Sequence, residues 1–287
     1  MQQNWFETPG PDGAALRLAY TEWGVPSDAP AVLCVHGLTR NGRDFDALAA
    51  ALAGGRRVIC PDVVGRGKSD WLADSAGYAN PAYVGHLLAL LDHLGITAVD
   101  WIGTSMGGLI GMLAAALPES PVRSLLLNDI GAVLPRAALE RIGAYAGADP
   151  SFDDLAGLEA YLRETYAGFG PLTDEQWRHM TEISVRTKPD GQLGLAYDPA
   201  IGDAFKNAPP EVDVELWELW DALSCPVMVL RGETSDVLPA DAAAEMTTRG
   251  PTARLVEFAG VGHAPALMSD DQIAVVRDWL AGAAAGA

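Results

Sequence analysis

Residues 98–107 read Ala-Val-Asp-Trp-Ile-Gly-Thr-Ser-Met-Gly, a mainly apolar run followed by a serine between two glycines. The mainly apolar residues up to Ile102 predict a buried strand, and the run Leu109–Leu117 predicts a helix soon afterwards. Glycines two positions before and after Ser105 allow a tight, strained turn between strand and helix. We therefore predict that Ser105 is a nucleophile, presented on a strand-to-helix turn at the carboxyl edge of a sheet.

Ser105 also has a simpler interpretation, because serine is a favoured residue at the start of a helix, where it caps free amides. A cap, however, needs neither the glycines on both sides of the serine nor Gly108 beside them. The pattern is short, so it also depends on partners elsewhere in the chain. A nucleophilic serine needs a base to accept its proton and an acid to orient that base, expected in the chain order Ser, acid, His.

Two later loops supply these partners in that order. The loop after the apolar run Ala253–Phe258 carries His263, the only histidine in the last third of the chain, and we predict that it is the base. The loop after residues 226–230 carries Asp236, which we predict is the orienting acid. Asp129, which ends another apolar run, is the alternative acid. We favour Asp236 because, in proteins with a nucleophilic serine on such a strand-to-helix turn, the acid more commonly lies in this loop.

A turn upstream of the serine predicts the groups that would stabilise an oxyanion. The apolar run Ala31–Val35 leads into His36-Gly37-Leu38, where the backbone turns. Two preorganised backbone N–H groups are the usual means of stabilising such a charge. We assign them to Leu38 and to Met106, the residue after the nucleophile. His36 and Gly37 are predicted to contact the substrate at this turn.

Together these segments resemble the α/β-hydrolase superfamily, specifically its branch of serine esterases and epoxide-hydrolase-like proteins with a helical cap. The resemblance covers nearly the whole chain, in the family's order, and rests on His36-Gly37, residues 62–70, the turn at Ser105, the loop of Asp236 and Gly262-His263. It implies an α/β fold with a mainly parallel eight-stranded sheet, flanking helices and an inserted helical cap. Epoxide hydrolases and dehalogenases of this branch carry an aspartate nucleophile, so Ser105 implies a carboxylesterase that forms an acyl-enzyme intermediate.

Other activities fit the same residues. Hydrolysis of a lactone or an amide, and perhydrolysis, would use the same Ser, His and acid. The segment Leu38–Asn41 lacks the longer Ser/Gly-rich stretch usual in the family's carbon–carbon bond hydrolases. The alternative from another functional class is a receptor that keeps the pocket without turnover.

Short apolar runs alternate with helical patterns in two parts of the chain, as expected for a parallel sheet. The predicted strands are Leu16–Glu22, Ala31–Val35, Arg57–Cys60, Val99–Ile102, Ser124–Asn128, Val227–Arg231 and Arg254–Phe258. We predict that residues 1–132 and 222–287 form the core and that residues 133–221 form a wholly helical cap. Aromatic residues are frequent in this cap, and we predict that Phe169, Trp177 and Met180 contact the substrate.

The composition of the chain limits the kinds of molecule that it can be expected to bind. The chain of 287 residues has a formal net charge of −19, which argues against nucleic acid or an anionic membrane as partner. We expect a small-molecule ester or lactone as substrate and a monomer or homodimer. No metal or cofactor is predicted: His86 and His93 lack a zinc-protease pattern, and residues 62–70 do not complete a phosphate-binding loop.

The expected location is the cytoplasm. The cysteines Cys34, Cys60 and Cys225 are odd in number and fall in or beside predicted strands, which is typical of core residues in a reducing compartment. The first residues carry neither the basic nor the apolar region of a secretory signal peptide.

Overall fold

An eight-stranded sheet forms the centre of the molecule, and a computed structural model describes residues 1–285 except 12, 208 and 210. The strands of this sheet are β1 (Gln2–Pro9), β2 (Ala15–Trp23), β3 (Ala31–Val35), β4 (Val58–Pro61), β5 (Val99–Thr104), β6 (Val122–Asn128), β11 (Val227–Gly232) and β12 (Arg254–Phe258). Their spatial order is β1-β2-β4-β3-β5-β6-β11-β12. The pairs β1/β2 and β2/β4 are antiparallel and the others are parallel, which confirms the predicted mainly parallel sheet.

Strand β1 was missing from the sequence prediction. It lies at the edge of the sheet, and only Phe6 and Thr8 of its side chains are buried. An edge strand of this kind has no run of apolar residues, so the pattern that reveals the inner strands is absent.

Helices cover both faces of the sheet. The α-helices are α1 (Asp46–Leu52), α2 (Asn80–His93), α3 (Met106–Ala115), α4 (Arg136–Ala146), α5 (Leu155–Thr165), α6 (Asp174–Ser184), α7 (Asp203–Asn207), α8 (Trp217–Asp221), α9 (Ala240–Met246) and α10 (Asp270–Ala285). Helices α1 and α10 pack on one face, and α2 and α3 pack on the other. Because both faces are covered, the inner strands are mainly apolar.

Strand β3 illustrates this double burial. Val32 and Cys34 belong to the apolar cluster that includes α1 and α10, whereas Leu33 and Val35 belong to the cluster on the opposite face. All four side chains are fully buried, as the alternation of a strand between two helical layers requires. The continuous apolar run therefore reports a central strand, as the sequence predicted.

The segment 133–221 is not wholly helical, which corrects the prediction. It contains helices α4–α8, and it also contains two two-stranded ribbons, in which β7 (Val133–Leu134) pairs with β10 (Val214–Glu215) and β8 (Val185–Thr187) pairs with β9 (Leu193–Leu195). Strands of two or three residues are too short to show an alternating pattern in sequence. The extent of the cap as a separate unit stays a prediction.

The parallel strands bring the predicted site together. Their carboxyl ends meet at one edge of the sheet, and β3, β5, β6 and β12 each lead there into a loop or turn that carries a candidate residue. The loops after β3, β5, β6 and β12 carry Leu38, Ser105, Asp129 and His263 respectively. Ligands of open α/β sheets bind at this edge.

Candidate active site

Ser105 stands in a strained turn between β5 and α3. Its backbone has φ 51° and ψ −116°, a conformation that is rare for a residue with a side chain. The two glycines that frame it are sterically required. A Cβ on Gly103 would lie 2.3 Å from the backbone of Gly107, and a Cβ on Gly107 would lie 2.0 Å from the Val35 carbonyl oxygen.

This crowding gives a first prediction for stability. Gly107→Ala should lower the free energy of unfolding by about 3 kcal/mol, because neither the added methyl group nor the Val35 carbonyl can move without distorting the sheet. Gly85→Ala is the matched control, since this exposed glycine of α2 has open space around its Cα and should gain about 0.5–1 kcal/mol. Urea unfolding of both variants measures the effect, and equal stabilities would contradict the required turn.

His263 connects the serine to a buried carboxylate. The serine hydroxyl lies 2.9 Å from His263 Nε2, and His263 Nδ1 lies 2.7 Å from Asp129 Oδ2. Because an ionised carboxylate only accepts hydrogen bonds, Nδ1–H donates to Asp129 and Nε2 is left to accept from the serine. The imidazole is therefore held in the tautomer that can take the Ser105 proton.

Asp129 is held by three donors. Its carboxylate is fully buried and accepts from His263, from the Gly232 N–H at 2.8 Å and from the Ser235 hydroxyl at 2.5 Å. Both oxygens are thereby satisfied, as burial of a carboxylate demands. The contacts to Gly232 and Ser235 tie the end of β6 to the end of β11.

The preference for Asp236 as the orienting acid is corrected. Asp236 is half-exposed and accepts two hydrogen bonds from Arg141, at 2.6 and 2.9 Å, whereas the histidine faces Asp129. Partial burial acts to raise the pKa of Asp236, but the bond and charge of Arg141 outweigh it and hold that pKa below its usual range. The loop after β11 thus reaches the site through Ser235, a contact that the sequence analysis missed.

The turn after β3 is braced by His36. Val63 N–H donates to His36 Nε2 at 3.0 Å, so Nδ1–H donates to the Gly37 carbonyl at 2.7 Å. Burial lowers the pKa of His36 to about 3; the Gly37 bond opposes this, and the charges of Arg66 and Arg40 add to it. The ring stays neutral and has no free nitrogen, so His36 supports the turn and cannot hydrogen-bond a substrate.

Two cavities meet at Ser105 and share Leu38 and Ile142 as lining residues. The first has a volume of about 60 Å³ and is bordered by the predicted contacts His36, Gly37, Phe169 and Met180, together with His263 and Tyr166. The second measures about 290 Å³ and is mainly apolar; its walls include Met106, Leu109, Ile130, Leu134, Leu139 and Phe205. The serine hydroxyl is therefore reached from a narrow side and from a wider apolar side.

Trp177, the remaining predicted contact, borders neither cavity. Its side chain is buried on α6, and the Arg163 guanidinium lies 5.3 Å from its ring centroid. The aromatic excess of the segment 133–221 thus serves packing at this position and lines the site at others, such as Phe169.

Two further findings concern other kinds of site. Within the described residues, no group of three His, Cys, Asp or Glu side chains is placed to hold a metal ion. In the same part of the chain, no helix combines the length and the apolar character that crossing a membrane requires.

The chain is similar to several known proteins. A family model described as alpha/beta hydrolase fold matches residues 30–268. A 3-hydroxybutyrate-oligomer hydrolase of Cupriavidus necator is 47% identical over 274 residues, which cover 93% of this chain and 94% of that protein. Among solved structures, a Rickettsia typhi protein has a TM-score of 0.91 and 34% identity, covering 98% of this chain and 99% of its own. An alpha/beta hydrolase of Novosphingobium aromaticivorans has a TM-score of 0.87 and 38% identity, covering 98% of both chains.

Proposed function

Because this chain belongs to the alpha/beta hydrolase fold family, we propose that it is a serine hydrolase that cleaves carboxylic esters through an acyl-enzyme intermediate. The observation that carries this proposal is the continuous hydrogen-bond chain from Ser105 through His263 to Asp129. These three side chains have the mutual geometry of a nucleophile, a base and an orienting acid.

The proposed reaction has two halves. His263 accepts the Ser105 proton while Oγ attacks the ester carbonyl, and the same histidine then protonates the departing alcohol. Water attacks the acyl-enzyme in the second half, again with His263 as base, and the acid is released. Asp129 stabilises the imidazolium that forms in both halves.

We assign the stabilisation of the oxyanion to the backbone N–H groups of Leu38 and Met106. In a trans peptide the carbonyl and the N–H point in opposite directions. The Gly37 carbonyl is held by His36 Nδ1 and by the Arg40 N–H at 3.2 Å, which directs the Leu38 N–H of the same peptide to the other side. Met106 begins α3, so its N–H lies at the positive end of a helix dipole.

The substrate proposed for this site is a short oligoester of a 3-hydroxy acid such as 3-hydroxybutyrate. This proposal is supported by the 47% identity to the Cupriavidus necator hydrolase and by the two cavities that meet at Ser105. An oligoester has a hydroxy-acid unit on each side of the ester that is cut, so it needs room in two directions. The apolar cavity suits a methyl-branched chain.

The function is tested by incubating the protein with the dimer and trimer of 3-hydroxybutyrate and with p-nitrophenyl butyrate, followed by chromatography of the products. We expect release of 3-hydroxybutyrate from both oligomers and of p-nitrophenol from the activated ester. If p-nitrophenyl butyrate alone is hydrolysed, the oligoester is not the substrate, but the proposed esterase activity stands. Inactivity on all of these esters, with turnover of a lactone or an amide instead, would contradict the ester specificity itself.

Filling the larger cavity predicts a change in chain-length preference. Leu139→Trp adds bulk to its wall on α4, so the ratio of kcat/KM for p-nitrophenyl octanoate over the acetate should fall at least about tenfold. Leu117→Trp, at an exposed leucine beyond α3, is the matched control and should leave the ratio unchanged. A constant ratio in both variants would show that long chains do not enter this cavity.

A further inference from the structure

Arg66 is a fully buried guanidinium whose hydrogen-bond partners are all uncharged. Nε donates to the Leu38 carbonyl at 2.9 Å, and Nη1 donates to the Val64 carbonyl at 2.8 Å and to the Tyr83 hydroxyl at 3.0 Å. Within the part of the chain that the structure describes, no carboxylate forms an ion pair with Arg66. An isolated buried charge is costly, so its position calls for a physical reason.

Two other buried arginines show the contrast. Arg40 pairs with Asp44, and Arg231 pairs with Glu257. Arg66 instead lies over aromatic faces, with its guanidinium 4.9 Å from the ring centroid of Tyr83 and 5.7 Å from that of Tyr78. Such contacts compensate a cation only partly.

A carboxylate lies beyond one of these rings. The Tyr78 hydroxyl donates to Asp198 Oδ2 at 2.6 Å, so that negative charge lies at the edge of a ring whose face the guanidinium covers. The positive charge of Arg66 is therefore not neutralised by direct contact, and it stays available to the groups on its other side.

The groups on the other side of Arg66 belong to Leu38 and Met106, the two residues proposed to stabilise the oxyanion. Arg66 Nε holds the carbonyl of Leu38, and Nη2 lies 3.5 Å from the sulfur of Met106. His36 holds the carbonyl of the preceding residue, Gly37, so the peptide units on both sides of Leu38 are fixed. One guanidinium thereby contacts both residues whose N–H groups would face a tetrahedral oxygen.

We propose that Arg66 is a positioning residue for the oxyanion hole. It holds the carbonyl of Leu38, contacts the sulfur of Met106 and places a positive charge that is only partly compensated beside both residues. This inference rests on the proposed function, because it assigns the charge to the tetrahedral intermediates of ester hydrolysis. A neutral ester carries no such charge in the ground state. The contribution of Arg66 is thus made in the transition state, and its loss lowers kcat rather than raising KM.

The test compares Arg66→Met and Arg66→Lys with the wild type on p-nitrophenyl butyrate. For Arg66→Met we expect kcat to fall about 10²-fold, as for loss of one oxyanion donor, with KM changed less than about threefold. Arg66→Lys keeps the charge but not the planar fork, so it should lose only about tenfold. Affinity for butylboronic acid, which forms a tetrahedral anion on the serine, should fall in parallel with kcat.

The control is Arg56→Met, which removes a guanidinium at the opposite end of the sheet, where Arg56 binds Asp100 and the carbonyls of Pro30 and Leu280. It should leave kcat and boronic-acid affinity unchanged. Thermal unfolding of each variant shows that the protein is folded; if Arg66→Met does not fold, Arg66→Lys decides by the same two readouts.

Two results would overturn the role of Arg66. One is a kcat in folded Arg66 variants within about threefold of the wild type, and the other is a fall in kcat without loss of boronic-acid affinity. Failure of the proposed function gives a different result, since wild type and Ser105→Ala would then be alike on every ester, and the role of Arg66 would fall with it.

Discussion

Ser105→Ala should abolish ester hydrolysis, with kcat/KM for p-nitrophenyl butyrate at least ~10³-fold below that of the wild type. The variant loses the Oγ that attacks the carbonyl, while the buried contacts of Asp129 remain in place. The fold should therefore persist, and thermal unfolding should shift little. Ser27→Ala removes an exposed hydroxyl that donates to the Gly55 carbonyl, and this control should keep full activity.

The same variant separates an enzyme from a receptor. Binding of a 3-hydroxybutyrate oligomer to Ser105→Ala, measured by calorimetry, should persist without turnover if the protein is an esterase. A wild type that binds the oligomer equally well and releases no product would contradict the proposed hydrolase and favour the receptor.

Asp129→Asn should greatly lower the activity, whereas Asp236→Asn should change it little. Asp129→Asn removes the carboxylate that fixes the His263 tautomer and stabilises its charged form, so kcat should fall about 10⁴-fold. Asp236→Asn breaks a half-exposed pair with Arg141, and exposed pairs contribute little, so activity should stay within about threefold of the wild type. Steady-state kinetics on p-nitrophenyl butyrate measures both.

Unfolding measurements are the control for this pair, because Asp129 also accepts hydrogen bonds from Gly232 and Ser235. A folded Asp129→Asn protein with wild-type kcat would contradict the assignment of the acid. A larger fall in kcat for Asp236→Asn than for Asp129→Asn would support Asp236 as the acid, as the sequence pattern favours.

The acid shows where sequence reasoning reached its limit. Asp129 and Asp236 both follow apolar strands, and both loops meet at the same sheet edge. The choice is made by side-chain direction: Ser235 turns towards Asp129, while Asp236 turns to Arg141 on α4 of the inserted segment. A contact between residues 95 positions apart leaves no local signal in the sequence.

The strained turn at Ser105 and the inner strands were predictable because their requirements are local in the sequence. Gly103 and Gly107 lie only two positions before and after the serine they accommodate, and β3 is apolar throughout because both of its faces are covered. Local steric and hydrophobic requirements are written in consecutive residues. The edge strand β1 lacks such a requirement, and the two ribbons of the segment 133–221 are too short to show one.

The supporting role of His36 could also not be predicted from the sequence. His36 borders the smaller cavity at Ser105, as predicted, but burial keeps its ring neutral and two backbone partners occupy both of its nitrogens, so that it supports the turn. Arg66 lies in the segment 62–70 that carried the family resemblance, but only its contacts with Leu38 and Met106 relate it to the site.

The nucleophile is identified by labelling the protein with an alkyl fluorophosphonate and locating the adduct by peptide mass spectrometry. We expect one adduct, on Ser105, that is absent from Ser105→Ala and forms far more slowly in Asp129→Asn than in Asp236→Asn. An adduct on another residue, or no adduct on the folded wild type, would contradict the assignment of Ser105 as the nucleophile.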